Sequence, residues 1–201
     1  MIDLYTWDTP NGRKISVALE EMGLPYRVHP IDISSGAQHA PDFLAISPNN
    51  RIPAIVDGDQ TVFESGAILI YLAEKTGQFL PSSGPARVSV MEWLMWQMGG
   101  FGPMPGQVHH FLGVEDAAAQ AYGLKRYGDE TKRLYRVLNT QLEGKNYVAG
   151  DLSIADFAII GWAWRHEKHK VDLAEFPNVA RWYAAMMARP ATAKGFAVAL
   201  K

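Results

Sequence analysis

Cysteine is absent from this sequence of 201 residues. The chain therefore has no disulfide, no thiolate nucleophile and no sulfur-ligated metal site of its own. Any thiol chemistry that it carries out must use a thiol brought by a ligand.

An excess of basic residues is also lacking. Lys and Arg number 19 against 21 Asp and Glu, and no basic run with interleaved aromatic residues indicates a nucleic-acid surface. Charge or glycine interrupts the apolar stretches well short of a membrane span. Residues 1–4 lack the basic region and apolar core that begin a signal peptide. We therefore expect a cytoplasmic protein without nucleic-acid or membrane partners.

The hydrophobic content of 48% and the six tryptophans are enough to build a real core, in one large or two small domains. In the first part of the chain, the pattern predicts elements in the order βαβ and then ββα. Strands are expected at 2–6, 26–31, 54–56 and 61–63. Helices are expected before Gly23 and at 41–46 and 66–75.

The segment Pro-Ser-Ser-Gly-Pro at 81–85 is the clearest interruption in the sequence, and beyond it every strong periodic signal is helical. Helices are predicted at 88–98, 117–142, 154–168, 179–188 and 191–199. The fold class is therefore α/β plus all-α. The predicted domains are 1–80 and 88–201, with a linker at 81–87.

Ser-Ile-Ala-Asp at 153–156 has the form of a capping box, with Leu152 and Phe157 at the positions of a hydrophobic staple. Such a pattern fixes the start of a helix. We therefore interpret Asp156 as a folding residue and not as a catalytic acid.

Two segments about a dozen residues apart predict a site for a small anionic peptide. Pro53 removes a backbone donor and favours a cis bond, so Ile52 can present its backbone to an extended ligand. Ser65 precedes an apolar helical stripe and is predicted as an N-cap whose neighbouring amides attract a carboxylate. Glu64 would face an ammonium group. The γ-glutamyl end of glutathione combines these features.

Five segments of the chain resemble the glutathione transferase family, in particular the bacterial nu class with its disulfide-bond oxidoreductases, and more distantly the theta class. They are Thr-Pro-Asn-Gly at 9–12, Ser-Pro-Asn-Asn-Arg-Ile-Pro-Ala-Ile-Val-Asp at 47–57, Phe-Glu-Ser-Gly-Ala-Ile at 63–68, residues 99–110, and Ser-Ile-Ala-Asp at 153–156. The resemblance covers the full length. It implies a thioredoxin-like first domain with a mixed four-stranded sheet, and an all-helical second domain that forms the second-substrate pocket. It also implies glutathione as co-substrate in the cleft between the domains, and a homodimer.

The resemblance also implies roles for individual residues. Thr9 and Asn11 match positions near the sulfur, and Gln38 matches a position near the glycyl end. Ile52, before Pro53, matches the position that binds the cysteinyl backbone. Glu64 and Ser65 match the positions that bind the γ-glutamyl end. Asn50 and Arg51 lie beside the site. Arg126 matches an arginine that reaches glutathione from the neighbouring subunit in relatives.

Thiol chemistry at neutral pH needs a stabilised thiolate, because a free thiol with a pKa of about 8.5 is only slightly ionised. A hydroxyl from Thr9 and an amide of Asn11, both at a helix start, would supply that stabilisation without a proton acceptor. The alternative is that the two residues form only a turn and an N-cap. Tyr5 is a second candidate for activating the thiol, but it lies within the predicted strand and we interpret it as structural.

The neighbouring His109 and His110 do not predict a metal site, because adjacent residues on a helix point in different directions. Aromatic and methionine side chains around them are typical of a helical core, although Gly99, Gly100, Gly102 and Gly106 are expected to break the helix near the second-substrate pocket. These side chains are Trp93, Met95, Trp96, Met98, Phe101, Met104 and Phe111.

Three functions remain open. The first is glutathione-dependent reduction of small disulfides, which the match around 9–12 and 99–110 favours. The second is conjugation of glutathione to small hydrophobic electrophiles. The third is a regulatory protein that binds glutathione without catalysis. Comparing the turnover of a small disulfide with the turnover of an aryl halide distinguishes the first function from the second.

Overall fold

The computed structural model describes residues 1–199, and these fall into two compact units. The first contains residues 1–82 together with the C-terminal segment from Met187, and the second contains Ser83–Met186. Among the described residues, no helix combines the length and apolar character that a transmembrane span requires.

The first unit contains the predicted βαβ and ββα order around a mixed sheet. Its strands are β1 (Ile2–Thr6), β2 (Tyr26–Pro30), β3 (Ala54–Asp57) and β4 (Gln60–Phe63). Its first three helices are α1 (Pro10–Glu21), α2 (Pro41–Ile46) and α3 (Ser65–Thr76). The strand order is β2-β1-β3-β4. The predicted thioredoxin-like sheet is therefore confirmed.

The directions of the strands determine which loops meet. β1 pairs in parallel with β2 and antiparallel with β3, and β3 pairs antiparallel with β4. Ala54 at the start of β3 lies opposite Tyr5 near the end of β1 and opposite Phe63 at the end of β4. The segments that follow β1, β2 and β4 and the segment that precedes β3 therefore lie at the same end of the strands. We call this end the sheet edge.

The second unit is helical, as predicted. Its helices are α4 (Gly84–Trp96), α5 (Pro103–Phe111), α6 (Ala117–Gln141), α7 (Ile154–Ala163) and α8 (Pro177–Met187). The expected break is a wide π-helical turn at Gln97–Phe101, which contains Gly99 and Gly100, and Gly102 is the N-cap of α5. Gly106 lies within α5, so the break predicted at that residue is wrong. The predicted helix at 154–168 is too long, because the chain turns after Ala163.

The last described helix, α9 (Pro190–Phe196), packs against α1 in the first unit. Gly195 permits this approach, because a Cβ there would lie 2.5 Å from the Cα of Val17. Ser16 Oγ donates to the carbonyl of Gly195 at 2.8 Å. This grouping differs from the predicted single helical domain at 88–201, because the segment from Met187 belongs with the sheet. Residues 200 and 201 lie outside the described residues.

Asp156 forms the predicted capping box at the start of α7. Its side chain is fully buried and accepts four hydrogen bonds, two of which come from Val148 N at 3.0 Å and Trp182 Nε1 at 3.0 Å. The other two come from the N and Oγ of Ser153. Burial raises the pKa of Asp156 to about 6, against the opposing effect of these hydrogen bonds. One carboxylate thus links the start of α7 to the preceding loop and to α8.

We expect Asp156→Ala to lower the free energy of unfolding by about 3 kcal/mol or more, because it leaves buried donors on Val148 and Trp182 without an acceptor. Urea denaturation followed by circular dichroism measures the change. Asp129→Ala is the matched control, since Asp129 is exposed and pairs with Lys125 one turn away, so a much smaller loss is expected. Equal losses in the two variants would contradict the structural role of Asp156.

Candidate functional site

Nine of the ten predicted site residues belong to the first unit, on segments that reach the same edge of its sheet. Thr9 and Asn11 follow β1, and Gln38 lies in a short 3-10 turn after β2. Residues 50–53 precede β3, and residues 64–65 follow β4. Strand polarity therefore brings together segments that are up to 56 positions apart in the sequence.

Thr9 is the N-cap of α1. Its backbone is extended, and its Oγ1 accepts a hydrogen bond from Gly12 N at 3.1 Å. Thr9 therefore forms the cap, and its hydroxyl proton is still able to donate to an anion. Gly12 is required for the tight turn, because a Cβ there would lie 2.4 Å from the carbonyl oxygen of Trp7. Thr9 and Asn11 are both partly exposed at this positive end of the helix.

The loop before β3 is held by its own hydrogen bonds. Ser47 Oγ donates to the carbonyl of Arg51 at 2.8 Å, and Asn50 N donates to the carbonyl of Ser47 at 3.0 Å. The Ile52–Pro53 peptide bond is cis, as the sequence allows. Pro53 is buried, Ile52 is partly exposed and Arg51 is exposed. The loop therefore presents Ile52 at the surface directly before the sheet begins.

Two buried amide oxygens at this edge have no hydrogen-bond partner among the described residues. They are Oε1 of Gln38 and Oδ1 of Asn50. Buried polar atoms normally have partners, so both oxygens are available to a donor from a bound molecule or from water. Nε2 of Gln38 lies 3.3 Å from a ring nitrogen of His39.

The start of α3 differs from the prediction by one residue. Glu64, not Ser65, is the N-cap, and Ser65 is the first helical residue. Glu64 has a φ of 70°, which is rare and strained for a residue with a Cβ. Its side chain is exposed and makes no capping hydrogen bond. The acidic group is thus directed to solvent where an ammonium ligand is expected.

Lys14 is a site residue that the sequence analysis missed. It is only 1% exposed, and its Nζ donates to Ser65 Oγ at 3.2 Å. Burial lowers the pKa of Lys14 to about 7, and the charge of Glu64 opposes this shift. A lysine in a polar stretch of helix gives no sequence signal for burial, because lysine is almost never fully buried.

Tyr5 lies on β1 with its ring stacked on that of His29, at a centroid distance of 4.6 Å. Its structural interpretation is consistent with this packing. Arg126 is exposed on α6 in the second unit, with its guanidinium 6.0 Å from the ring of Tyr127. Its predicted contact with glutathione from a neighbouring subunit remains a prediction.

In the second unit, the two neighbouring histidines have different surroundings. His109 is stacked on His169 at a centroid distance of 4.7 Å and also contacts Trp162, whereas His110 packs against Phe111. Burial lowers the pKa of His109 to about 4 and that of His169 to about 3, so both rings are neutral at pH 7. Within the described part of the chain, no group of three or more His, Asp or Glu side chains is arranged to hold a metal ion.

The aromatic and methionine side chains of this unit divide between core and surface. Phe101 is fully buried and packs against Trp96 and Tyr135, at centroid distances of 5.1 and 4.9 Å. Met95, in contrast, is 48% exposed. The core interpretation therefore holds for Phe101 but not for Met95.

Family sequence models match both halves of the chain. The glutathione S-transferase N-terminal domain matches residues 2–74, and the glutathione S-transferase C-terminal domain matches residues 103–190. This chain belongs to the glutathione transferase family. The resemblance seen in the five sequence segments is thereby confirmed.

Three relatives of this glutathione transferase are informative. The disulfide-bond oxidoreductase YfcG of Escherichia coli strain K12 is 48% identical over 202 residues, which cover 96% of this chain and 93% of YfcG. A crystal structure of a family member from Pseudomonas fluorescens, with two glutathione molecules bound, is 43% identical with a TM-score of 0.88, covering 97% of this chain and 92% of that one. A glutathione transferase from Pseudomonas putida, with one glutathione disulfide per subunit, is 40% identical with a TM-score of 0.90, covering 98% and 91%.

We expect Glu64→Gly to be more stable than Glu64→Ala by about 1 kcal/mol. Both variants lose the carboxylate, but only glycine relieves the strain of positive φ, and this relief exceeds the greater flexibility of glycine in the unfolded chain. Parallel urea denaturation curves give the difference, since the matched pair cancels every effect of the carboxylate. If the alanine variant is equally stable, Glu64 is not strained.

Proposed function

We propose that this glutathione transferase reduces small disulfides with glutathione as the source of the thiol. The observation that carries the proposal is the pairing of two features at one sheet edge: the N-cap hydroxyl of Thr9, and the acidic Glu64 at the start of α3. The absence of cysteine requires the redox thiol to come from a ligand. The naming of YfcG as a disulfide-bond oxidoreductase supports this choice of reaction.

Each end of glutathione has a chemically matched partner at this edge. The ammonium of the γ-glutamyl group pairs with Glu64, and its carboxylate binds at the start of α3 beside Ser65. The cysteinyl backbone pairs with that of Ile52 before Pro53, in the manner of an added strand. Gln38 binds the glycyl end. Arg51 and Asn50 add charge and a hydrogen-bond acceptor to the pocket.

The sulfur of glutathione then lies near Thr9 and Asn11. Lowering its pKa by about two units requires about 2.7 kcal/mol of preferential stabilisation of the anion. A hydroxyl and an amide that donate to a thiolate are each worth about 1.5–3 kcal/mol. Two such donors at a helix N-terminus are therefore sufficient, and no general base is needed.

The reaction proceeds by two exchanges of sulfur partners. The thiolate attacks one sulfur of the substrate disulfide, the S–S bond breaks, and the leaving thiolate takes up a proton from solvent. A second glutathione thiolate then attacks the mixed disulfide, releasing the second substrate thiol and forming glutathione disulfide. Two glutathione molecules are oxidised for each disulfide reduced. The two glutathione molecules or the glutathione disulfide bound in the Pseudomonas proteins support this scheme.

We further propose a cytoplasmic homodimer. A compartment that keeps glutathione reduced is the cytosol. For the dimer, the support is the exposed position of Tyr122 and Arg126 on α6. Arg126 matches the arginine that, in relatives, reaches glutathione from the neighbouring subunit.

Thr9→Val should raise the pKa of bound glutathione toward the free value of about 8.5 and lower disulfide turnover about tenfold or more, because valine keeps the shape of threonine without the hydroxyl. Thiolate absorbance against pH and turnover of a small disulfide measure these effects. Thr9→Ser keeps the hydroxyl and is the matched control, with values near those of the wild type.

An unshifted thiol pKa in the wild type, with no turnover, would contradict catalysis and support a protein that only binds glutathione. Turnover of an aryl halide without turnover of the disulfide would instead support conjugation. Equal behaviour of the valine and serine variants would exclude the hydroxyl of Thr9 as the activating group.

A further inference from the structure

A buried ammonium lies beside the proposed site for the γ-glutamyl carboxylate. Lys14 extends from α1, and its Nζ is 3.2 Å from Ser65 Oγ, the side chain of the first residue of α3. Lys14 and Ser65 each make further interactions in this unit. The hydroxyl group of Ser65 therefore lies between the Lys14 amine and the N-terminus of α3.

This arrangement places two positive features close to each other. The N-terminus of α3 carries a partial positive charge, which disfavours a neighbouring ammonium. Burial acts in the same direction and lowers the pKa of Lys14 to about 7, while the negative charge of Glu64 opposes it. In the free protein near pH 7, a substantial share of Lys14 is therefore neutral.

The other charged groups on the elements packed against α1 have partners of their own. The pairs are Arg13 with Asp8, Arg189 with Glu21, Lys194 with Glu20, and Tyr71 and Lys75 with Asp57. Glu74 is on α3, about 13 Å along the axis from Ser65. His39 is at the sheet edge beside Gln38. Among the described residues, Glu64 carries a charge that favours the protonated form of Lys14.

Glutathione changes this balance of charge. If Glu64 pairs with the ligand ammonium, part of its negative charge is neutralised by that group. The charge of Glu64 then raises the pKa of Lys14 less than it does in the free protein. The γ-glutamyl carboxylate then brings a new negative charge to the start of α3, next to Ser65. A carboxylate at that point favours the charged form of Lys14.

We propose that Lys14 is a positioning residue for the γ-glutamyl carboxylate, and that it takes up a proton when this carboxylate binds at the N-terminus of α3. The inference rests on the proposed glutathione site. Lys14 acts through Ser65. Its positive charge is only partly present in the free protein and becomes complete when the ligand is bound.

The sign of the pH dependence follows from this linkage. Below pH 7, Lys14 is already protonated in the free protein, so binding takes up little proton and affinity is highest. As the pH rises above 7, binding must first protonate Lys14, and affinity falls. If the carboxylate raises the pKa by one to two units, affinity falls about tenfold between pH 6.5 and pH 8.5.

Isothermal titration calorimetry of the full chain with S-methylglutathione tests the proposal directly. The methyl group blocks the thiol, so the thiolate does not contribute protons. Titrations at pH 7.5 in buffers of different ionisation enthalpy give the number of protons taken up. We expect about half a proton or more for the wild type.

Two variants and one altered ligand isolate the source of the proton. Lys14→Met removes the amine and Lys14→Arg keeps a permanent charge, so neither should take up the additional proton, and the arginine variant should keep the higher affinity. The ligand 4-aminobutyryl-S-methylcysteinylglycine lacks only the γ-glutamyl carboxylate. With this ligand, the wild type should take up no additional proton, because no carboxylate then lies beside Lys14.

Proton uptake that depends on both Lys14 and the ligand carboxylate supports the proposal. Equal uptake in the wild type and both variants, or binding without uptake in the wild type, overturns it while leaving the glutathione site intact. If S-methylglutathione does not bind the wild type at all, the proposed glutathione site fails and this inference fails with it.

Discussion

The polarity of four paired strands is the constraint on which the proposed site depends. Because β1 runs parallel to β2 and antiparallel to β3, and β3 runs antiparallel to β4, three strand ends and one strand start meet at a single sheet edge. Thr9, Ile52 and Glu64 each lie on a segment that enters or leaves the sheet there. Reversing one strand would move its segment to the opposite edge, so no local change in a loop could replace this arrangement.

The edge also concentrates electrostatic features that are unfavourable without a partner. The N-terminus of α3 carries a partial positive charge, the buried and only partly protonated amine of Lys14 lies beside it, and Glu64 is held at a positive φ with its carboxylate exposed. Such strain and buried charge persist where the surrounding structure enforces them, often at ligand sites. A ligand with an adjacent ammonium and carboxylate satisfies both signs at once. The same charge pair distinguishes the γ-glutamyl end of glutathione from an ordinary peptide.

Much of this architecture could be predicted from the sequence. The strand and helix order, the cis bond before Pro53 and the capping box of Asp156 depend on local patterns, which a single sequence contains. The burial of Lys14 and the docking of Gly195 against Val17 depend on contacts across 51 and 178 positions, which local patterns do not specify. The cap of α3 was misplaced by one residue because serine is a common N-cap, whereas the strained backbone of Glu64 is imposed by its tertiary surroundings.

Binding of two fragments of glutathione tests whether recognition lies at its γ-glutamyl end. Titration calorimetry would compare γ-glutamylcysteine, which keeps that end, with cysteinylglycine, which lacks it. We predict that γ-glutamylcysteine binds within about tenfold of glutathione. Cysteinylglycine should bind at least about 100-fold more weakly than glutathione, a difference of about 2.7 kcal/mol or more. Cysteinylglycine binding as tightly as γ-glutamylcysteine would contradict the assignment of Glu64 and the start of α3 as the recognition site.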